Sequence, residues 1–231
     1  MRCNRIVLFL LAASLLFLCS CGTARAAEQV PAETFLDSLT FLGDSTTAHM
    51  QQRSSLRSEQ IWATKERYLN LDSRITYAKI LHPVTGEENT IAQVAASLRP
   101  AYLVITLGVD YGAYYYRDKP DVFRLYYEKL LSAIQKASPD TRLILQSVFP
   151  VGRNSGAVTN DMVNRVNANI QRIARERGLP FVDQTPILAD EEGFLRPEYC
   201  YSEDGLHLTA SAYEAILCHL ASQEREIRGA A

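Results

Sequence analysis

Short apolar runs that alternate with segments of helical periodicity constrain this 231-residue chain more than any other feature. The clearest run, residues 101–107, is apolar at almost every position, which is typical of a strand buried on both faces of a sheet. Similar runs predict strands at residues 39–42, 75–81, 142–149 and 181–182. Apolar strands separated by helices imply a parallel sheet that is covered on both sides, in a single three-layer α/β/α unit.

The N-terminus has the composition of an export signal. Two arginines precede an apolar run over residues 6–18, which is too short for a comfortable transmembrane helix. Leu18-Cys19-Ser20-Cys21 is similar to a bacterial lipobox, with Cys21 as the lipidated first residue, whereas Ala24-Arg25-Ala26 has the form of an ordinary signal-peptidase site. Either site predicts an extracytoplasmic protein. The apolar run leads directly to Cys21, which favours a lipid anchor in the bacterial cell membrane over simple secretion.

These features divide the chain into a signal peptide (residues 1–20), a polar lead-in (21–36) and one globular domain (37–228). The net charge of −2 becomes −4 when the two arginines of the signal are removed. No basic cluster remains, so the composition argues against a nucleic-acid partner. Cys200 and Cys218 lie within the domain and either form a disulfide in an oxidising compartment or remain two half-buried thiols.

The turn after the first predicted strand presents a candidate nucleophile. Gly43 ends the apolar run, and small hydroxyl residues then open a helix. Ser45 therefore lies at the carboxyl end of the sheet, where open α/β folds bind their ligands. Its amide would lie at the positive end of that helix, although a Gly-Asp-Ser tripeptide alone is also common as a loop or an N-cap.

A carboxylate and an imidazole lie near the other end of the chain. Asp204 and His207 are three residues apart on a turn that enters the last predicted helix, so their side chains can lie on one side. A carboxylate in this place would hold the imidazole tautomer and stabilise the imidazolium, as the third member of a triad does. The alternative is that Asp204 forms the turn and His207 begins the helix.

Together, Gly43-Asp44-Ser45 and Asp204-x-x-His207 resemble the first and last blocks of the SGNH/GDSL hydrolase family, over essentially the whole mature chain. The resemblance implies a flavodoxin-like fold with a five-stranded parallel sheet. It also implies that Ser45 is the nucleophile, His207 the general base and Asp204 its orienting acid. The family hydrolyses esters through an acyl-enzyme, without a metal or an organic cofactor.

The family's two middle blocks, which complete the oxyanion hole begun by the Ser45 amide, match less well. Gly86 fits the second block by its position between the second predicted strand and the next helix. Gly108-Val109-Asp110 lies where the family has Gly-x-Asn, so Asp110 replaces an amide donor by a group that, when ionised, only accepts. Asp110 either is held protonated by burial and donates, or points away while Arg153 or Asn154 supplies the donor.

An aromatic loop follows Asp110 at the carboxyl end of the central strand. It contains Tyr111 and Tyr114, two further tyrosines, and then Arg117. As a wall of the site, the tyrosines would suit sugar faces or acyl groups, and Arg117 would meet an anionic substituent. Alternatively, the loop packs on its own helix.

These features predict an exported, membrane-tethered esterase. Its substrate would be an acylated glycan of the cell envelope or the environment, or a small ester, from which it removes an O-acyl group such as O-acetyl. The alternative is a catalytically weak or inactive SGNH domain that binds a glycan or a protein, and Asp110 is the feature that supports it.

Overall fold

A computed structural model describes residues 34–229 of the chain. The strands of this part of the chain are, in order, β1 (Leu39–Gly43), β2 (Ile61–Trp62), β3 (Lys79–Leu81), β4 (Glu88–Thr90), β5 (Tyr102–Thr106), β6 (Arg142–Gln146) and β7 (Phe181–Val182). Its α-helices are α1 (Ser45–Arg53), α2 (Ile91–Leu98), α3 (Pro120–Ala137), α4 (Asn160–Arg177), α5 (Thr185–Leu188), α6 (Ala210–Ser222) and α7 (Glu224–Gly229). The predicted signal peptide and Cys21 lie outside the described residues.

The main sheet has five strands in the order β2-β1-β5-β6-β7, and every pairing in it is parallel. This order confirms the predicted flavodoxin-like three-layer fold. Successive residues of each strand face opposite layers, as the two-residue period of a strand requires. Leu103 and Ile105 pack in one buried apolar cluster with residues of α2, α3 and α4. Tyr102 and Val104 pack in a second cluster with residues of α6, which explains why the strands are apolar throughout.

The second strand of the main sheet is not the one that the sequence predicts. The prediction at residues 75–81 holds only for the last three of them, because Ile75–Tyr77 forms a short 3-10 turn. The strand that does form there, β3, pairs antiparallel with β4 in a separate hairpin and does not join the main sheet. The edge strand is instead β2, in which Ile61 aligns with Phe41 of β1. Two residues are too few to display a periodicity, although both are buried.

The long helices agree with their predicted positions. The buried side chains of α3 include Phe123 and Ile134, at helical spacing. Gly178 ends α4 in the left-handed conformation, and Thr209 caps the start of α6 by accepting a hydrogen bond from the amide of Ala212. Within residues 34–229, the structure contains no helix with the length and apolarity that a membrane span requires.

Candidate active site

Ser45 is the first residue of α1, immediately beyond the carboxyl end of β1. Asp44 caps the helix, since its carboxylate accepts hydrogen bonds from the amide and the hydroxyl of Thr46 at 3.1 and 2.7 Å. Gly43 allows the close turn, because a Cβ at this position would lie 2.1 Å from Oγ1 of Thr47 and 2.3 Å from the carbonyl oxygen of Thr106. The strand can therefore enter the helix sharply, and the Ser45 side chain lies at the edge of the sheet.

Three predicted site residues lie in line. Oγ of Ser45 is 3.4 Å from Nε2 of His207, and Nδ1 of His207 is 2.7 Å from Oδ2 of Asp204. Because the carboxylate can only accept, Nδ1 carries the proton and Nε2 presents its lone pair to the serine. This is the arrangement in which an imidazole can take the proton of an attacking hydroxyl.

Asp204 is held in its ionised form. Partial burial raises the pKa of this carboxyl, but hydrogen bonds from the amide of Leu206, the His207 ring and the His207 amide outweigh it and place the pKa well below the usual range. The two amides donate to Oδ1 at 2.8 and 3.2 Å, which leaves Oδ2 for the ring. The imidazole therefore has a fixed tautomer and a permanent negative partner.

Contacts between distant segments bring the two halves of the site together. Nη1 of Arg53, at the end of α1, donates to the carbonyl of Leu208 at 3.1 Å, and its guanidinium lies 3.4 Å from the ring centroid of Tyr201. Gly205 has a φ of +68°, and its carbonyl accepts from the amide of Gly152 at 2.8 Å, so the segment with His207 is also joined to the loop after β6.

His49 is a site residue that the sequence analysis does not single out. It lies one turn after Ser45 on α1, and its ring packs on that of His207 with the centroids 4.6 Å apart. Burial, followed by the charges of His207 and Arg53, lowers the pKa of His49 to about 4. Its Nδ1 is buried and has no hydrogen-bond partner among the described residues. The spacing of four from Ser45 is its only signal in the sequence.

Asp110 lies near the nucleophile turn, in the π-helical segment Val109–Tyr114. Burial raises the pKa of the Asp44 carboxyl, whereas hydrogen bonds from the hydroxyl and the amide of Thr46 lower it. The nearby charge of Asp110 also raises the pKa of Asp44. The Gly108-Val109-Asp110 segment therefore approaches Ser45, as the third block requires. The side chain of Asp110 is exposed, so the burial that the protonated-donor alternative needs is absent.

A cavity of about 460 Å³ opens beside Asp110. Tyr111 and Tyr114 line it, with Leu206 from the turn that carries His207 and with Asn70 from the loop beyond β2. Tyr111 and Tyr114 also contact Tyr115, with ring centroids at 4.9 and 5.2 Å, so the tyrosines both pack on each other and face the cavity. Asn70 is the only amide side chain among the described lining residues, and the sequence analysis does not identify it.

Gly86 does not lie where its predicted role requires. It occupies the turn between β3 and β4, and its amide donates to the carbonyl of His82 at 2.8 Å. An amide engaged in this way is not available to an oxyanion. The sequence predicts Gly86 in the oxyanion hole because residues 75–81 are expected to form the second strand of the main sheet. Those residues do not join the main sheet, so the predicted role of Gly86 is wrong.

The three other predicted polar contacts lie apart from the Asp110 cavity. Arg153 donates to Asp190 at 2.8 Å and pairs with Glu192 at 2.9 Å, so the loop after β6 uses this guanidinium for its own structure. Asn154 lines a neighbouring cavity of about 500 Å³. Arg117 donates to the carbonyl of Tyr114 at 2.8 Å and does not line the cavity beside Asp110.

The predicted disulfide is not formed. Cys200 and Cys218 are both free thiols, and these are the cysteines of the part of the chain that the structure describes. Sγ of Cys200 donates to the carbonyl of Ser202 at 2.9 Å, whereas Cys218 is exposed on α6. The turn that carries His207 is held by hydrogen bonds instead. Across residues 34–229, histidine, cysteine and acidic side chains form no group that could hold a metal ion.

A serine, an imidazole and a carboxylate in line at the carboxyl edge of a parallel sheet define an α/β hydrolytic site. The chain belongs to the GDSL-like lipase/acylhydrolase family, whose model matches residues 41–215. The match begins within β1 and ends within α6, so it includes both segments that carry the site residues. Family membership indicates acylhydrolase activity.

Two solved structures share this fold. A GDSL-like lipase from Bacteroides thetaiotaomicron matches with a TM-score of 0.54 and 18% identity, over 87% of this chain and 93% of its own. A protein from Bacteroides fragilis described as an acylhydrolase matches with a TM-score of 0.53 and 16% identity, over 81% of this chain and 86% of its own. No curated protein matches the sequence significantly.

Proposed function

We propose that this protein is an exported serine esterase that removes O-acyl groups, such as O-acetyl, from a glycan. The observation that carries the proposal is the continuous contact from Ser45 through His207 to Asp204, at 3.4 and 2.7 Å. Membership of an acylhydrolase family agrees with this chemistry. The 3.4 Å contact is longer than a strong hydrogen bond, as is common before a substrate tightens the site.

The reaction follows from the tautomer of His207. Oγ of Ser45 attacks the ester carbonyl carbon while Nε2 of His207 takes the hydroxyl proton, and Asp204 stabilises the imidazolium. The tetrahedral intermediate collapses, the proton passes from Nε2 to the leaving alcohol oxygen, and the acyl group remains on Ser45. Water then attacks the acyl-enzyme by the same route and releases the carboxylic acid with the free serine.

The oxyanion of that intermediate needs donors. The Ser45 amide is one, since it begins α1 and has no hydrogen-bond partner among the described residues. We assign the second donor to the side-chain amide of Asn70, because it shares the cavity with Asp110 and takes part in no hydrogen bond within the described chain. Asn70 would thus supply the side-chain NH2 donor that Asp110 cannot supply.

The nature of the cavity supports a glycan ester. Tyr111, Tyr114 and Tyr115 present ring surface beside the Asp110 carboxylate, a combination that suits the apolar face and the hydroxyls of a sugar. Export rests on the signal-like N-terminus, and a lipid on Cys21 would keep the enzyme at the cell membrane.

Asp110 favours a second candidate, a domain that binds a glycan without hydrolysing it. A carboxylate in place of an amide opposes the negative charge of the intermediate. The two candidates separate in a labelling experiment with a fluorophosphonate, which reacts only with an activated serine. We expect native protein to be labelled, and Ser45→Ala protein, with the exposed Ser58→Ala as its control, to remain unlabelled. Folded native protein that is not labelled would favour the binding domain.

A further inference from the structure

The ring of His49 is a half-buried group that the proposed reaction does not use. It lies on the same helix as Ser45 and packs at 4.6 Å on the ring that must reach Ser45, with the two planes inclined at 56°. Its Nδ1 is buried without a partner among the described residues. A buried polar atom without a partner costs free energy, so the placement of this ring in the site calls for an explanation.

We propose that His49 is a positioning residue that holds the His207 ring against Ser45 and acts as a neutral aromatic surface. The inference rests on the proposed function, since it assigns His207 as the base. Asp204 fixes only one edge of His207, because its two oxygens contact Nδ1 and the backbone amides of the same turn. A second surface packed against the ring would limit its rotation about that edge, and His49 supplies one, with its ring plane tilted by 56° from that of His207.

The neutral state of His49 follows from the groups around it. Three basic side chains surround His49: His207 packs against its ring, Arg53 follows on α1, and Arg67 lies in the loop beyond β2. The positive charge of each disfavours protonation of His49. Among the described residues, the charge of Asp204 favours protonation of His49, and burial is the largest effect against it. With a pKa of about 4, His49 does not titrate near neutral pH. The ring, and not its proton, is the part that acts.

This distinction makes the proposal testable by substitution. His49→Phe keeps a flat ring of similar extent, whereas His49→Leu and His49→Gln remove it. Gln51→Ala, an exposed position on the same helix, is the matched control. A misplacement of about 1 Å in a catalytic group costs up to about a hundredfold in rate. We therefore expect both ring-free variants to lose about 10-fold to 100-fold in kcat on p-nitrophenyl acetate, with KM within about twofold of native.

His49→Phe should retain kcat within about threefold. Its pH–rate profile should superimpose on the native profile over roughly pH 5 to 9, because no titration of His49 contributes there. Native rates in folded His49→Leu and His49→Gln proteins would overturn the proposal. A loss in His49→Phe equal to that in His49→Leu would also overturn it, because a nitrogen rather than the ring surface would then be required.

A second measurement does not depend on turnover. The proton shared by Nδ1 of His207 and Asp204 gives a low-field NMR resonance, which reports the orientation of the ring. We expect this resonance to shift or broaden in His49→Leu and His49→Gln and to remain in place in His49→Phe and Gln51→Ala. Native protein without esterase activity would reject the proposed function alone. An unchanged resonance in the ring-free variants would reject the role of His49.

Discussion

The phenol of Tyr213 donates a hydrogen bond to the carbonyl oxygen of Thr46 at 2.6 Å and thereby ties α6 to the first turn of α1. Tyr213 is fully buried, and burial raises the pKa of its phenol, so the group stays protonated and remains a donor. The contact joins residues 167 positions apart and lies next to Ser45 in the chain. It places the helix of the candidate nucleophile against the helix that follows His207.

Tyr213→Phe should therefore destabilise the fold by about 0.5–1.5 kcal/mol, because the hydrogen bond between α6 and α1 is lost while the carbonyl of Thr46 keeps its place in the helix ladder and the packing of the ring is retained. Urea unfolding followed by far-UV circular dichroism measures the difference. Tyr77→Phe, at an exposed position, is the control and should leave the free energy of unfolding unchanged. Equal stability of native and Tyr213→Phe proteins would show that the carbonyl finds another partner.

Ser45→Ala and His207→Ala should each reduce kcat on p-nitrophenyl acetate by about 10⁴-fold or more. Because members of a triad act as a unit, the double variant should be no slower than either single variant. The comparison is a double-mutant cycle in steady-state kinetics. Losses that multiply in the double variant would mean that the two side chains act in separate steps.

Asp110→Asn should raise kcat by about tenfold, which corresponds to about 1.4 kcal/mol of transition-state stabilisation. The substitution removes a negative charge near the oxyanion and adds a donor, and both changes favour the transition state. Steady-state kinetics of the native and Asp110→Asn proteins on p-nitrophenyl acetate provide the measurement. Asp118→Asn, an exposed aspartate shortly after the tyrosine loop, should change nothing.

The opposite result is equally informative. An Asp110→Asn protein with the native kcat would show that residue 110 does not face the oxyanion. Asn70→Ala tests the alternative donor in the same assay and should lower kcat by about a hundredfold, the usual cost of losing one oxyanion donor.

The stability of the native protein should depend on pH through His49. The pKa of His49 is lowered from 6.5 to about 4, so the unfolded chain binds this proton more readily than the folded chain does. The free energy of unfolding should therefore fall as the pH decreases from about 6.5 towards 4. His49→Phe removes this contribution, so its melting temperature should rise relative to that of native protein over the same interval. A constant difference in melting temperature from pH 7 to pH 4 would contradict the lowered pKa.

Cys21→Ser should release the protein from the membrane fraction into the soluble exported fraction of a bacterial host, if Cys21 carries lipid. Cell fractionation and intact mass of the native protein provide the measurement. Cys19→Ser, two residues earlier in the same signal, is the control. A native protein that is already soluble and begins at Ala27 would show that cleavage follows Ala26 and that there is no tether.

Several local signals were sufficient to predict the outline of the fold and three site residues. The apolar run of β5, the helical spacing of α3 and α4, and the two polar turns at Ser45 and Asp204 are each encoded within a few neighbouring residues. Hydrophobic periodicity and turn chemistry act over such distances, so a sequence can display them directly. The two polar turns also resemble those of the SGNH/GDSL family, and that resemblance implies the flavodoxin-like sheet.

Contacts between segments distant in the chain decided the rest. β2 has two residues and gains its place only by pairing with β1, whereas residues 75–81 have strand-like composition but form a turn and one strand of a separate hairpin. His49 and Asn70 enter the site because α1 and the loop beyond β2 pack beside His207 and Asp110. Local propensity indicates most of the strands, helices and turns. Packing decides the short or ambiguous segments and determines which side chains meet, because its free energy is gained only when distant parts of the chain are brought together.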